Sequence, residues 1–276
     1  MIGILQGRLT ASTNGQLQCF PSINWKDEFI LAKNCKLECI ELLFEAVYNP
    51  LNPLYTSDGI PVLKKISKET GVRISSVCAD YFMQKPLWNN DGNAKKESEK
   101  TFKELVLKCN DVDAGILVLP FFEKAEIKTE QDKNSLGEVL SELGEFAKDH
   151  SVDVSLEITI PATSLKFFIE SLNSKNIGVC YDTGNTTGKG HDISKDIKIL
   201  GNLINHVHVK DRRKSDYQNV LLGTGDTDFK GAFLAFNNFS YKRAFMLETY
   251  RGENPVETAK KHRIFVEKNL QISKSV

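Results

Sequence analysis

IGVCYDTGN at residues 177–185 and INHVHVKDRR at residues 204–213 share one design, a short apolar run that ends on polar side chains. The first reaches Asp182. The second offers His206, His208 and Lys210 at alternating positions, which puts all three on one face of a strand. Two further stretches repeat the design: VDVSLEIT (152–159) reaches Glu157, and AFMLETY (244–250) reaches Glu248. Polar residues directly after apolar strands are what a (β/α)8 barrel demands, because its active site is built at the C-terminal ends of the strands.

Outward from these four, short apolar runs recur along the chain. Strands are predicted at Ile2–Leu5, Cys39–Leu43, Arg73–Cys78, Gly115–Leu119, Val154–Leu156, Gly178–Tyr181, His206–Val209 and Phe245–Leu247, with first residues 24 to 42 positions apart. Even the shortest spacing leaves room for a crossover helix, so parallel βαβ units are feasible. Helices are predicted at Trp25–Lys33 behind Asn24 as N-cap, at Ile60–Thr70 before Gly71, and over Ala94–Cys109 and Ser135–His150. In the last two, Phe102, Leu105, Val106 and Cys109, and Leu136, Val139, Leu140 and Leu143, fall at the steps of three and four that a packed helix face needs. The sequence therefore predicts an α/β fold, a single (β/α)8 TIM barrel over residues 1–276. Periodicity alone also permits an open doubly wound sheet.

Composition narrows the function classes. Hydrophobic residues make up 41% of the chain, enough for one large core. Lys+Arg and Asp+Glu are equal at 36 each, so the basic excess that a duplex-DNA binder uses to displace counterions is missing, and no nucleic-acid partner is expected. The six cysteines, Cys19, Cys35, Cys39, Cys78, Cys109 and Cys180, form no C-x-x-C pair and read as free thiols in a reducing compartment. Met1 runs straight into the first predicted strand, and no apolar run approaches the ~20 residues that cross a bilayer. A cytoplasmic protein without a membrane partner is expected; a homo-oligomer is allowed.

Two glutamates, one aspartate and one histidine at the ends of four consecutive strands make a compact, oxygen-rich site with one imidazole. Glu157, Asp182, His208 and Glu248 together suit one divalent ion, Mn²⁺, Zn²⁺, Mg²⁺ or Co²⁺, with water or substrate filling open positions. A lone Glu at a strand end is more often a cap or a salt-bridge partner. Four candidate ligands at equivalent strand ends are harder to dismiss.

The segments LEIT, CYDTGN, HVHVKDRR, LLGTGDTDF and FMLET resemble the signature segments of the xylose isomerase-like barrel superfamily, and the branch of sugar-phosphate isomerases and epimerases in particular. IGILQGRLT followed by QCFPSINW, and CIELLFEA at the second strand, are similar to the same branch, so the resemblance spans nearly the whole chain. It implies a metal held by Glu157, Asp182, His208 and Glu248, a small-molecule sugar or sugar phosphate as substrate, and Glu157 and Glu248 as the proton-transferring pair. In several sugar epimerases of this family the position of Asn185 is a histidine that contacts substrate. Asparagine can still hydrogen-bond a hydroxyl but cannot titrate.

Further substrate contacts are expected from Arg8 and Glu41 at the barrel mouth, and from Asn185, Lys210 and Arg212. His191 joins them if the stretch NTTGKGHD (185–192) is a mobile lid. Lys210 is nearly as well read as an ion-pair partner of a barrel carboxylate, and His206 as a hydrogen-bonded histidine one layer deeper. GTGDTDF (223–229) reads as a tight turn into a helix capped by Asp228, and its G-x-G alone is weak evidence for phosphate binding.

The expected reaction is a metal-dependent isomerisation or epimerisation through an enediolate. The alternative is a metal-dependent dehydratase acting on a polyol ketone, whose ligands would look alike. An apurinic-endonuclease-like hydrolase would need a histidine-rich zinc cluster, and the chain has five histidines with none between His208 and His262. A non-catalytic binding protein is disfavoured because all four ligand positions hold competent residues.

Overall fold

The computed structural model of the protein describes residues 1–12, 15–88 and 92–274. In chain order the first half runs β1 (Ile2–Leu5), α1 (Asp27–Asn34), β2 (Cys39–Leu43), α2 (Gly59–Thr70), β3 (Arg73–Cys78), α3 (Tyr81–Gln84), α4 (Gly92–Asp111), β4 (Ile116–Pro120) and α5 (Glu130–Asp149). It continues with β5 (Asp153–Glu157), α6 (Ala162–Ser171), β6 (Ile177–Asp182), α7 (Thr183–Gly188), α8 (Ile193–Leu200) and β7 (Ile204–Val209). A two-stranded ribbon of β8 (Asp211–Arg212) and β9 (Asn219–Val220) precedes α9 (Phe229–Asn238), β10 (Phe245–Leu247) and α10 (Pro255–Lys274).

Eight of these strands, all parallel, close in the order β1-β10-β7-β6-β5-β4-β3-β2. This is the (β/α)8 barrel the strand spacing suggests, and closure excludes the open sheet. Side chains of alternate parity separate two cores. Ile4, Leu42, Val77, Leu117 and Val179 point outward into the large cluster between sheet and helices. Leu5, Leu43, Cys78, Val118 and Cys180 belong to a separate cluster that fills the barrel interior.

The expected helix faces are buried as read: Phe102, Leu105, Val106 and Cys109 on α4, and Leu136, Val139, Leu140 and Leu143 on α5. α5 begins earlier than the apolar pattern indicated because Thr129 and Asp132 form a reciprocal capping box upstream of it. α1 starts two residues late, at Asp27, with no side-chain cap; Asn24 contributes its backbone carbonyl instead. α2 stops at Gly71, whose φ of +74° is the left-handed cap expected there. All six cysteines are free and buried. No helix among the described residues is long and apolar enough to cross a membrane.

Two register shifts bear on function. One lies between Ile40 and Glu41 in the β2–β3 pairing, the other between Val179 and Cys180 in the β6–β7 pairing. Such irregularities re-aim the side chains that follow them. The first leaves Ser75 of β3 as the extra residue; the second leaves Asn205 of β7, three positions before His208.

Candidate metal centre at the barrel mouth

Asp182 ends β6 and is paired in register with His208 on β7. Glu157 ends β5, and Glu248 follows β10, where its backbone N–H donates to the Val209 carbonyl at 3.1 Å. The four residues are buried, and one ligand atom from each lies within 4.8 Å of the others. The structure thus brings together the four side chains singled out in the sequence.

His208 shows that a cation fits among them. Its Nε2 donates to Glu41 Oε1 at 2.8 Å. That leaves Nδ1 facing Glu248 Oε2 at 3.0 Å and Glu157 Oε2 at 3.4 Å, with no hydrogen bond formed. Burial opposes a charge on His208, but Cys180, Glu41 and Glu248 raise its pKa well above the ordinary imidazole value, so Nδ1 calls for a positive charge, a proton or a metal ion, facing the two carboxylates. The separations match one too: two ligand atoms about 2.1 Å from a common ion stand ~3.0–3.4 Å apart, from octahedral to tetrahedral angles. Three carboxylates also outnumber the cations at hand, Lys210 and Arg8.

Lys210 takes the ion-pair role. Its Nζ is 2.9 Å from Asp182 Oδ2 and 2.7 Å from Glu248 Oε1, and its stem lies against α7 where only a glycine fits: a Cβ on Gly184 would meet Lys210 Cγ at 2.7 Å. Arg8 Nη2 stands 3.6 Å from Glu248 Oε1. Electrostatics divide the two glutamates. Burial holds Glu157 above the ordinary carboxylate range, although His208 pulls the other way. Burial would raise Glu248 as well, but Lys210, His208 and Arg8 hold it well below that range. Asn185 donates from Nδ2 to Glu157 Oε1 at 2.8 Å, and its backbone N–H caps α7 on Asp182 Oδ1 at 2.7 Å.

Three expectations change. Glu41 is not at the mouth: two residues short of the end of β2 it points into the barrel a layer under the site, fully buried, with Oε2 2.8 Å from His206 Nε2 and Oε1 on His208. His206 is the deeper core histidine anticipated. The stretch 185–192 is no open loop. Its first part belongs to α7, buried from Thr183 to Thr187, where Thr186 and Thr187 donate to the carbonyls of Asp182 and Thr183 at 2.8 Å. His191 then turns to Asp196, 3.2 Å from Oδ2, and lines a small pocket behind Glu157 and Asp182 instead of the larger cavity at the mouth. The glycine turn is also occupied: Gly223 and Gly225 N–H groups both donate to Asp211 Oδ2 at 2.9 Å, so this cradle holds the chain's own carboxylate. Asp228 caps α9 as read.

Above the ligands opens a cavity of about 310 Å³, lined by Glu157, Glu248, Asn185, Lys210 and Arg212, and also by Gln18, Asp80, Lys189 and Tyr217. The last four were missed in the sequence. Asp80 carried the same signal as the ligands, a polar residue two places beyond the end of an apolar strand. Lys189 and Gln18 carried none, because long connections bring them in.

A (β/α)8 barrel with an acidic, histidine-bearing centre at its C-terminal face defines the class. The chain belongs to the xylose isomerase-like TIM barrel family, whose model matches residues 29–268. It is 22% identical over 265 residues to the L-ribulose-5-phosphate 3-epimerase UlaE of Escherichia coli (strain K12), covering 89% of this chain and 90% of that one. A solved L-ribulose 3-epimerase superposes with a TM-score of 0.80 at 18% identity, over 99% of this chain and 95% of that one. The IolI protein, solved with a bound zinc atom, gives 0.76 at 16% identity, over 99% and 97%.

Proposed function

We propose that the protein is a divalent-metal-dependent ketose 3-epimerase that acts on a pentulose phosphate. One observation carries the reading: Glu157 and Glu248 flank His208 Nδ1 from two sides, at 3.4 and 3.0 Å, beneath an open cavity. Glu157, Asp182, His208 and Glu248 would hold the ion. When bound, a divalent ion polarises the ketose carbonyl and offsets the charge that develops as the neighbouring carbon loses its proton. One glutamate removes that proton and the other returns one to the opposite face, which inverts the centre. Lys210 stays on Asp182 and Glu248 and helps to hold the Glu248 carboxyl well below the ordinary range. Asn185 holds Glu157 in orientation.

The phosphate follows from two cations of the lining. Among the described residues neither Lys189 nor Arg212 forms an ion pair, and Arg212 Nε is buried without a partner. Arg212 is braced instead by stacking on Tyr217, 4.7 Å from the ring centroid. Arg213, by contrast, is taken by Asp216 at 2.8 Å. A relative named for L-ribulose 5-phosphate agrees with this polarity.

The test is incubation of the metal-loaded protein with L-ribulose 5-phosphate, followed by NMR. Inversion at carbon 3 with every atom conserved is expected. A dehydrated product without epimer would reverse the reading in favour of the lyase. The paired Lys189→Met, Arg212→Met variant should raise KM for the phosphorylated ketose by about 10- to 100-fold, the worth of lost charge-assisted hydrogen bonds, and leave the free sugar within a few-fold.

A further inference from the structure

Asp80 is a carboxyl group that the proposed reaction does not use. It lies two residues past β3, lines the same cavity as Glu157 and Glu248, and is only 8% exposed. Among the described residues no cation pairs with it. Its Oδ2 accepts from Gln18 Nε2 at 2.7 Å, while Gln18 Oε1 accepts from Arg8 Nη2 at 2.6 Å. The guanidinium on one side and the carboxyl on the other fix which end of the Gln18 amide faces which neighbour. Asp80 is therefore held in place through Gln18 by the same arginine that neighbours Glu248. Its second oxygen, Oδ1, has only the Cys78 thiol at 3.4 Å, a weak donor. A buried acceptor left with so poor a partner beside a cavity is costly unless something else completes it.

The barrel order supplies the direction. β3 stands four places round the ring from β7, diametrically across the mouth from the strand that leads to Arg212. A pentulose with its phosphate against Lys189 and Arg212 lays its chain across the centre and points its other end, the carbon-1 hydroxyl, at β3. We infer that Asp80 is a specificity-determining residue that accepts a hydrogen bond from this hydroxyl through Oδ1, with Gln18 as its positioning residue. The inference rests on the epimerase reading for the direction in which the substrate lies. Burial pushes the Asp80 carboxyl up to about 7 in spite of the Gln18 bond, as expected of a group whose charged form lacks donors.

The test compares L-ribulose 5-phosphate with its 1-deoxy analogue on the wild-type, Asp80→Ala and Asp80→Asn proteins. The same comparison is made by calorimetry with two inert ligands, ribitol 5-phosphate and its analogue lacking the hydroxyl at the end remote from the phosphate. Wild-type protein should favour the hydroxylated member of each pair by about 10- to 100-fold, since a site built to bond a hydroxyl rejects the analogue lacking it. Asp80→Ala should bring both ratios to within about three-fold, and Asp80→Asn, which keeps an acceptor for Gln18, should fall between. Equal losses on both members of a pair would overturn the inference and leave Asp80 a structural residue, as would failure of wild-type protein to bind either polyol phosphate. If wild-type protein turns over no ketose phosphate yet binds the polyol pair with the Asp80-dependent preference, the epimerase reading fails and this inference stands.

Discussion

Glu157→Gln and Glu248→Gln are each expected to lower kcat/KM by about 10²- to 10⁴-fold, the range that one positioned proton-transfer group supplies, and excess metal should not restore it. Glutamine keeps the length of the side chain and one coordinating oxygen but cannot take up or deliver a proton. Asp182→Asn separates the two roles. It too removes a ligand charge, yet Asp182 has no place in the proton transfer, and asparagine retains an acceptor for the Asn185 N–H that caps α7. Its activity should recover partly as metal is raised to saturation. Steady-state rates against metal concentration read the contrast. Parallel recovery of all three variants would reduce the glutamates to ligands and remove the proposed chemistry.

The second large effect is expected from Glu41→Gln, a residue that touches neither substrate nor metal. Its carboxylate receives Nε2 of His208 and neighbours Nε2 of His206, so it fixes which His208 nitrogen is free to face the site. Groups of this kind typically account for 10- to 100-fold in metal affinity, and a loss of that size is expected in a chelator competition titration. The variant should also lose stability without metal, on the order of 3 kcal/mol at neutral pH, because a fully buried partner of two imidazoles is removed. Burial opposes the charge on Glu41, but His206 and His208 overcome it and hold the pKa below the ordinary carboxylate range. A depressed folded pKa contributes stability that is present above the unfolded value of about 4.3 and fades as the pH falls below it. Wild-type protein in chelator should therefore show a steeper acid slope there than Glu41→Gln, which keeps the contribution of Glu248. Unchanged metal affinity would mean that Glu41 merely fills space.

The barrel and the candidate ligand set were legible because both depend on local pattern. Each strand is a short apolar run, and each ligand stands at or just past the end of one. What escaped depends on contacts the sequence does not order. Glu41 was taken for a mouth residue because parity along CIELL shows that it faces inward but not how deep it sits, and it stands two residues short of the end of β2. The stretch TTGKG reads as loop on propensity, yet the Asp182 cap and two threonine hydroxyl bonds make its start helical, and this turns His191 away. The ribbon of β8 and β9 has two residues per strand, too short for any periodic signal. The G-x-G turn advertised an anion site truly enough, but the anion is Asp211, which no spacing rule connects to it.

The most direct measurement is the anomalous difference density of zinc-loaded crystals. One peak is expected about 2.0–2.2 Å from carboxylate oxygens of Glu157, Asp182 and Glu248 and from Nδ1 of His208, with Nε2 of His208 still on Glu41. An ion bound instead at Cys180 and His206, the other buried cluster among the described residues that can offer ligands, with Glu157 and Glu248 turned away from it, would contradict the account.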